Sequence, residues 1–220
     1  YLLGARVIFT DKPSRDETLH QAFGQSELEG ERPYLIPYGG SNAMGAQAYA
    51  LAMNELKAQH LQADAIVFAT SSGGTQAGLM LGALQTGFKG EILGISVDLP
   101  ASEFRQVAVK ILNQALALDG SVRVFTADEV RVNDQYCAAG YGVLTAQEIE
   151  AIHLFAHREG ILLDPVYTGR AAAGLIDLIR QGYFHKGQKV LFWHTGGTPA
   201  LFAEPYASQL TRAASLLESA

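Results

Sequence analysis

The sequence is short of cysteine and of charge, and it has no long apolar run. A single cysteine, Cys137, cannot form an internal disulfide, which is typical of proteins in a reducing cytoplasm. No run approaches the roughly 18–20 apolar residues that span a bilayer, so a membrane protein is not expected. Charged residues make up 17% of the chain, and the net charge of -6 comes without a basic cluster, which argues against a nucleic-acid partner.

Apolar residues make up 48% of the sequence, enough for a sizeable buried core. Strand-like runs alternate with helical patterns, which predicts an α/β fold with an open parallel sheet and helices on both faces. The predicted strands cover residues 4–10, 34–37, 65–69, 91–97, 122–125, 161–163 and 189–194. The predicted helices lie within residues 11–30, 46–56, 76–85, 102–118, 145–160, 170–181 and 207–220.

Domain organisation follows from a change in these patterns along the chain. The early strands are shorter and their linkers are more polar than those that follow. We therefore predict a boundary near residue 60, with residues 1–60 forming part of a smaller α/β domain and residues 61–220 forming a larger one.

The strongest local signal is the loop Thr70-Ser-Ser-Gly-Gly-Thr75, which joins an apolar strand to a helix. Unpaired N–H groups and the helix dipole favour an anion at such a helix N-terminus. Glycines allow close approach of the backbone, and hydroxyl groups add donors. The loop lacks both the Gly-Lys-Ser/Thr of a P-loop and the dinucleotide-binding fingerprint. It is either a plain tight connection or, as we predict, a phosphate site.

Other small-residue loops also follow predicted strands, at residues 39–45, 164–169 and 195–198. Ligands bind at the carboxyl ends of strands in open parallel sheets, so the later loops are expected to converge on one site. Tyr141 and Tyr167 lie in or beside irregular stretches. Each is either a tyrosine at the edge of the core or a phenol that faces a substrate.

Taken together and in this order, several motifs resemble those of one enzyme family, that of D-cysteine desulfhydrase and 1-aminocyclopropane-1-carboxylate deaminase. They are Ile36-Pro-Tyr-Gly-Gly-Ser-Asn42, Thr70-Ser-Ser-Gly-Gly-Thr-Gln-Ala-Gly78, Gly140-Tyr-Gly142, Asp164-Pro-Val-Tyr-Thr-Gly169 and His194-Thr-Gly-Gly197. The resemblance covers nearly the whole chain. It implies a tryptophan-synthase-β-like fold, pyridoxal 5'-phosphate as cofactor, an amino-acid substrate and a homodimer.

The resemblance also implies roles for single residues. Tyr141 and Tyr167 match active-site tyrosines near the substrate, and Thr195 matches the residue close to the pyridine nitrogen. Thr168 stands where the deaminase pattern has Glu, and Thr195 stands where that pattern has Leu, so both positions are similar to the desulfhydrase pattern. Arg170 replaces a frequent lysine and keeps its charge. The residues that match the cofactor's phosphate-binding loop are Ser72, Gly73, Gly74 and Thr75.

No lysine of the sequence matches the family's Schiff-base lysine, which comes from an N-terminal part of the chain. Together with the start at Tyr1, this suggests that the N-terminal third is missing. Three functions remain open at this point. They are β-elimination from D-cysteine or a related D-amino acid, ring-opening deamination of 1-aminocyclopropane-1-carboxylate, and non-catalytic binding of a phosphorylated ligand.

Overall fold

The computed structural model describes the backbone of residues 1–217 and the side chains of residues 1–212. The chain divides into two compact units, Tyr1–Gly40 and Ser41–Ala220. This division precedes the boundary that we expected near residue 60. The difference arises because helix α2 (Ala43–Ala58) buries Ala50 and Met53 in the core of the second unit.

The first unit contains helix α1 (Arg15–Leu28) and irregular segments. The predicted strands at residues 4–10 and 34–37 are wrong, since neither range is a strand in this fully described unit. Their apolar side chains are largely exposed, with Phe9 at 86% and Tyr34 at 76%. An alternating pattern forms a strand only where another strand is available to pair with it.

The second unit is built on a parallel sheet of four strands, which are β1 (Ala65–Thr70), β2 (Glu91–Ser96), β3 (Arg131–Asn133) and β4 (Val190–Trp193). Their order across the sheet is β3-β2-β1-β4. The predicted α/β class with an open parallel sheet is confirmed. The strands predicted at residues 122–125 and 161–163 are wrong, because neither range joins a strand in this described region.

Helices cover both faces of this sheet, as predicted. The remaining helices of the described chain are α3 (Gly74–Thr86), α4 (Ala101–Leu118), α5 (Ala146–Glu159), α6 (Thr168–Arg180) and α7 (Tyr206–Leu217). Alternate residues of β1 point to opposite sides of the sheet, so that Phe68 packs with α2, α3 and α4 while Val67 packs with α6. The end of the predicted last helix, residues 218–220, lies outside the described residues.

Helices α2 and α3 approach each other closely along a glycine stripe formed by Gly74, Gly78 and Gly82. A Cβ atom on Gly78 would lie 2.3 Å from the carbonyl oxygen of Ala46, and one on Gly82 would lie 2.5 Å from Cβ of Met53. Glycines spaced four residues apart share one helix face, so this face of α3 has no side chains that hold α2 away. The close packing places Ser41, just before α2, beside the start of α3.

None of the helices in the described part of the chain is both long enough and apolar enough to cross a bilayer.

Candidate active site

The predicted loops meet at the carboxyl edge of the sheet. Strands β1 and β4 are adjacent and parallel, so the loops that follow Thr70 and Trp193 leave the sheet at the same edge. A Cβ atom on Gly197 would lie 2.7 Å from Cγ of Asp164, which brings the loop at residues 164–169 to the same place. The convergence expected from the sequence is therefore present.

The loop between β1 and α3 has the features of an anion site. Gly73 adopts the left-handed conformation (φ 89°) immediately before α3, and the first turn of α3 contains no acidic residue. The hydroxyl oxygens of Thr70 and Ser71 are buried and have no hydrogen-bond partner among the described residues. Buried hydroxyl groups are usually paired, so unpaired ones beside a helix N-terminus point to a polar ligand.

Ser41 belongs to this site, although our site prediction did not include it. Its hydroxyl group donates to Oγ of Ser72 at 2.7 Å and accepts from the backbone N–H of Gly74 at 3.1 Å. A Cβ atom on Gly74 would lie only 2.7 Å from Oγ of Ser41. The sequence signal was the Gly-Gly-Ser turn that precedes α2, but only the packing of α2 on α3 connects this turn with the phosphate loop.

Tyr141 and Tyr167 come together as a pair. Their hydroxyl groups are hydrogen bonded to each other, and their rings meet edge to face with centroids 5.9 Å apart. Tyr167 is half-buried at the start of α6, whereas Tyr141 is 51% exposed in the loop between β3 and α5. In this hydrogen bond one phenol donates and the other accepts.

Thr168 is fully buried, and its hydroxyl group interacts with Asp164. It donates to Oδ1 of Asp164 and accepts from the backbone N–H of Asp164, both at 2.7 Å. The carboxylate of Asp164 also accepts the backbone N–H groups of Val166, Tyr167 and Thr168. Asp164 therefore caps the start of α6 and fixes the backbone of Tyr167. The contact of Thr168 with a cofactor stays a prediction.

Thr195 is exposed at the carboxyl end of β4, and its contact with a cofactor also stays a prediction. The neighbouring His194 holds this loop in place. Its Nδ1 accepts the backbone N–H of Gly196 at 3.0 Å, so Nε2 carries the proton and donates to the carbonyl oxygen of Leu162 at 2.9 Å. These bonds give His194 a structural role in this loop.

A buried ion pair lies behind the tyrosine pair. Nε of Arg170 donates to Oε1 of Glu148 at 2.8 Å, and both side chains are almost completely buried. Burial alone would raise the pKa of Glu148, but hydrogen bonds from Thr145 and Arg170 outweigh it and hold this pKa below its usual value. Thr145 and Glu148 also form the capping box at the start of α5.

Cys137 lies near this ion pair, where it packs and donates to the carbonyl oxygen of Asp134 at 3.1 Å. Burial raises the pKa of its thiol, and the negative charge of Asp134 adds to the effect. The higher pKa leaves less thiolate at neutral pH, which makes Cys137 a poor nucleophile.

Residues 1–196 match the family model described as "Pyridoxal-phosphate dependent enzyme". The chain belongs to the pyridoxal-phosphate-dependent enzyme family. A solved structure described as an ACC deaminase homologue is 33% identical to this family member and superposes on it with a TM-score of 0.81. The match covers 96% of this chain and 64% of the homologue, so the chain spans less than two thirds of the length of that relative.

More distant members of the family share the fold. The processed form of threonine deaminase isoform 2 from Solanum lycopersicum is 20% identical to this chain with a TM-score of 0.55. The match covers 98% of this chain and 58% of the threonine deaminase chain. Cysteine synthase from Entamoeba histolytica is 12% identical to this chain with a TM-score of 0.57, and the match covers 94% of this chain and 59% of the cysteine synthase chain. At these identities the likeness concerns the fold alone.

The residues before α3 fit the phosphate group of pyridoxal 5'-phosphate, the cofactor of this family. A phosphate needs several donors and a positive potential, and the start of α3 provides both through its backbone N–H groups and its dipole. The unpaired hydroxyl groups of Thr70 and Ser71 add potential donors. Ser72, Gly73, Gly74 and Thr75 all lie at this helix start, where we expected the phosphate.

Proposed function

We propose that this chain binds pyridoxal 5'-phosphate and takes part in the β-elimination of D-cysteine or a related D-amino acid. For D-cysteine the overall reaction consumes one water and gives pyruvate, ammonia and hydrogen sulfide. The bonds that break are the α C–H bond, the β C–S bond and the α C–N bond. The pair of tyrosines at the carboxyl edge of the sheet is the observation that carries the proposal.

The phosphate is assigned to the loop at the start of α3, where Ser72 and Thr75 supply hydroxyl groups and Gly73 supplies a backbone N–H group. Gly74, whose own N–H donates to Ser41 in this structure, is assigned to the same site as the first residue of the helix. Thr168 and Thr195 are assigned to the side of the pyridine ring. When bound, pyridoxal phosphate supplies an electron sink for the negative charge that develops at the substrate's α carbon. We assign no lysine of this chain to the covalent attachment of the cofactor.

The tyrosine pair is assigned to the substrate's leaving group. In the hydrogen bond between the two hydroxyl groups one phenol acts as donor and the other as acceptor, so a phenolic O–H lies at this place. A thiolate that leaves the β carbon needs such a donor. The capping of α6 by Asp164 keeps the backbone of Tyr167 fixed while its phenol acts.

The two threonines favour elimination over ring opening. A carboxylate beside a pyridine nitrogen stabilises the protonated ring more than a hydroxyl group does. Elimination of a thiol needs only loss of the α proton and a good leaving group, so a weaker electron sink is sufficient. Opening an unactivated cyclopropane ring is the more demanding reaction.

Deamination of 1-aminocyclopropane-1-carboxylate is the second candidate. It is favoured by the 33% identity with a structure described as an ACC deaminase homologue. Thr168 and Thr195 count against it, because the deaminase pattern has Glu and Leu at these positions. A non-catalytic pyridoxal-phosphate-binding protein is the remaining alternative.

The test supplies the chain with pyridoxal phosphate and measures the products of each substrate. D-cysteine should yield pyruvate and sulfide in equal amounts, and a Tyr141→Phe variant should yield them more slowly, by about 100-fold if the phenol acts as a general acid. A clear preference for 1-aminocyclopropane-1-carboxylate, detected as 2-oxobutyrate, would establish the second candidate instead. Pyridoxal phosphate binding without turnover of either substrate would identify a binding protein.

We also propose that the protein is located in the cytoplasm and forms a homodimer. The cytoplasm is supported by the single cysteine, and the homodimer is supported by the family resemblance alone. Sedimentation of the purified chain at several concentrations tests the second point, since a monomer throughout would contradict it.

A further inference from the structure

The guanidinium group of Arg170 connects the ends of several elements from a fully buried position in α6. Besides Glu148, it donates through one terminal nitrogen to the carbonyl oxygens of Val97 at 2.8 Å and Gly140 at 2.9 Å. Its other terminal nitrogen donates to the carbonyl oxygen of Val143 at 2.7 Å. The acceptors thus include residues on both sides of Tyr141.

The loop that carries Tyr141 is therefore fixed through its backbone. Gly140 and Gly142 both have positive φ angles, of 100° and 74°, so the loop folds sharply around the tyrosine. Tyr206 donates to the carbonyl oxygen of Gly142 at 2.6 Å. Arg170 and Tyr206 together hold the carbonyl groups of Gly140, Gly142 and Val143, while the Tyr141 side chain remains half exposed.

A lysine could not make the same set of contacts. The ammonium group presents its donors from one atom, whereas the bonds of Arg170 leave from three nitrogens in a planar fork. Burying a guanidinium group is costly unless it is paired and hydrogen bonded, and here Glu148 supplies the charge while the carbonyl groups of Val97, Gly140 and Val143 accept three further N–H groups. The same α6 carries Tyr167 at its N-cap, so one helix holds one tyrosine directly and the other through Arg170.

We propose that Arg170 is a positioning residue that orders the Gly140–Val143 loop and thereby holds the Tyr141 phenol against Tyr167. This inference rests on the proposed function for its catalytic consequence, but its structural content can be measured without turnover. It also gives arginine a specific role at a position where lysine is frequent, because the fork of the guanidinium group matches the carbonyl groups of the loop.

The first experiment measures hydrogen–deuterium exchange in wild type and in Arg170→Lys, which retains a cation for Glu148. Exchange in the peptide that covers residues 139–144 should become about tenfold faster or more, since the carbonyl groups lose their donors. A peptide from the first turn of α3 should exchange as in wild type. Tyr206→Phe removes an independent bond to the same loop without touching the ion pair, so it should accelerate the same peptide. Wild-type exchange of residues 139–144 in both variants would overturn the proposal.

The second experiment separates positioning from general damage by a double-mutant cycle with D-cysteine. Arg170→Lys should lower kcat by about 10- to 100-fold with little change in the pyridoxal phosphate concentration needed for half-maximal activity. In a Tyr141→Phe background the same substitution should lower kcat no further. An equal loss in both backgrounds would show that Arg170 acts on the fold rather than through Tyr141, and would overturn the proposal. If the wild-type chain makes no pyruvate, the proposed function fails, and the exchange experiment alone decides the role of Arg170.

Discussion

Replacing Gly78 by alanine should destabilise the protein because α2 and α3 touch at this residue. The added Cβ atom would lie 2.3 Å from the carbonyl oxygen of Ala46 and 2.6 Å from Cβ of Tyr49. Carbon–oxygen contacts are normally no closer than about 3.3 Å, so the helices must separate by roughly 1 Å. The nearest atom belongs to the backbone of α2, which cannot move aside as a side chain can.

The magnitude follows from two opposing effects. Overpacking a core costs about 1–3 kcal/mol, and a clash between two helix backbones belongs at the upper end of this range. Alanine is better than glycine inside a helix by about 1 kcal/mol. The net loss is then about 2 kcal/mol. For a chain of this size, such a loss lowers Tm by roughly 4–8 °C.

Thermal unfolding followed by far-ultraviolet circular dichroism measures this effect, and Gly24→Ala is the control. Gly24 lies inside α1, and a Cβ atom there would meet nothing within 4 Å. The control should therefore keep or raise Tm, since it has the same gain in helix propensity without the clash. A Tm for Gly78→Ala equal to or above that of wild type would refute the close approach of α2 and α3.

The same substitution should weaken pyridoxal phosphate binding. Ser41 precedes α2 and is hydrogen bonded both to Ser72 and to the backbone N–H of Gly74. A shift of α2 away from α3 would loosen these bonds at the phosphate loop. Equilibrium dialysis with pyridoxal phosphate should show a higher Kd for Gly78→Ala and an unchanged Kd for Gly24→Ala.

Three further predictions concern single residues of the site. Hydrogen bonds hold the pKa of Glu148 below its usual value, so its carboxylate stabilises the fold above its unfolded pKa of about 4.3. This contribution is lost as the pH falls through the lower pKa of the folded protein. Tm measured against pH should therefore fall less steeply in acid for Glu148→Gln than for wild type. Ser71→Ala removes a buried hydroxyl group that has no hydrogen-bond partner among the described residues. Without ligand Tm should therefore stay the same or rise, whereas the Kd for pyridoxal phosphate should increase. A lower Tm with an unchanged Kd would contradict the role of Ser71 as a donor to the phosphate. Gly197→Ala should lower Tm more than Gly196→Ala, because both residues have positive φ angles but only Gly197 lies against Asp164.

The parts of the fold that the sequence predicted correctly are those in which local pattern and packing agree. Strands β1, β2 and β4 are apolar runs, and all residues of β1 are buried. The capping box at Thr145 uses only neighbouring residues, so it can be recognised without tertiary contacts.

The errors occur where pairing depends on distant residues. Val122 and Val124 suggested a strand but are 99% and 66% exposed, whereas β3 forms at Arg131–Asn133 through pairing with residues 93–95. A segment of three residues with two polar side chains gives no periodic signal. The role of Arg170 cannot be predicted from the sequence for a related reason. Its burial depends on carbonyl groups from separate loops, which sequence spacing does not reveal.

The two halves of the candidate site depend on opposite faces of the sheet. The phosphate loop is held by α2 and α3 on one face, whereas the Tyr141 loop is held by Arg170 of α6 on the other. Both meet at Val97, whose N–H donates to the carbonyl oxygen of Thr70 at 3.0 Å and whose carbonyl oxygen accepts from Arg170. Since this link is through the backbone, side-chain substitutions on one face should leave the other largely in place. Cofactor affinity and turnover should therefore respond to different substitutions, the first to those at Gly78 and Ser71, the second to those at Arg170.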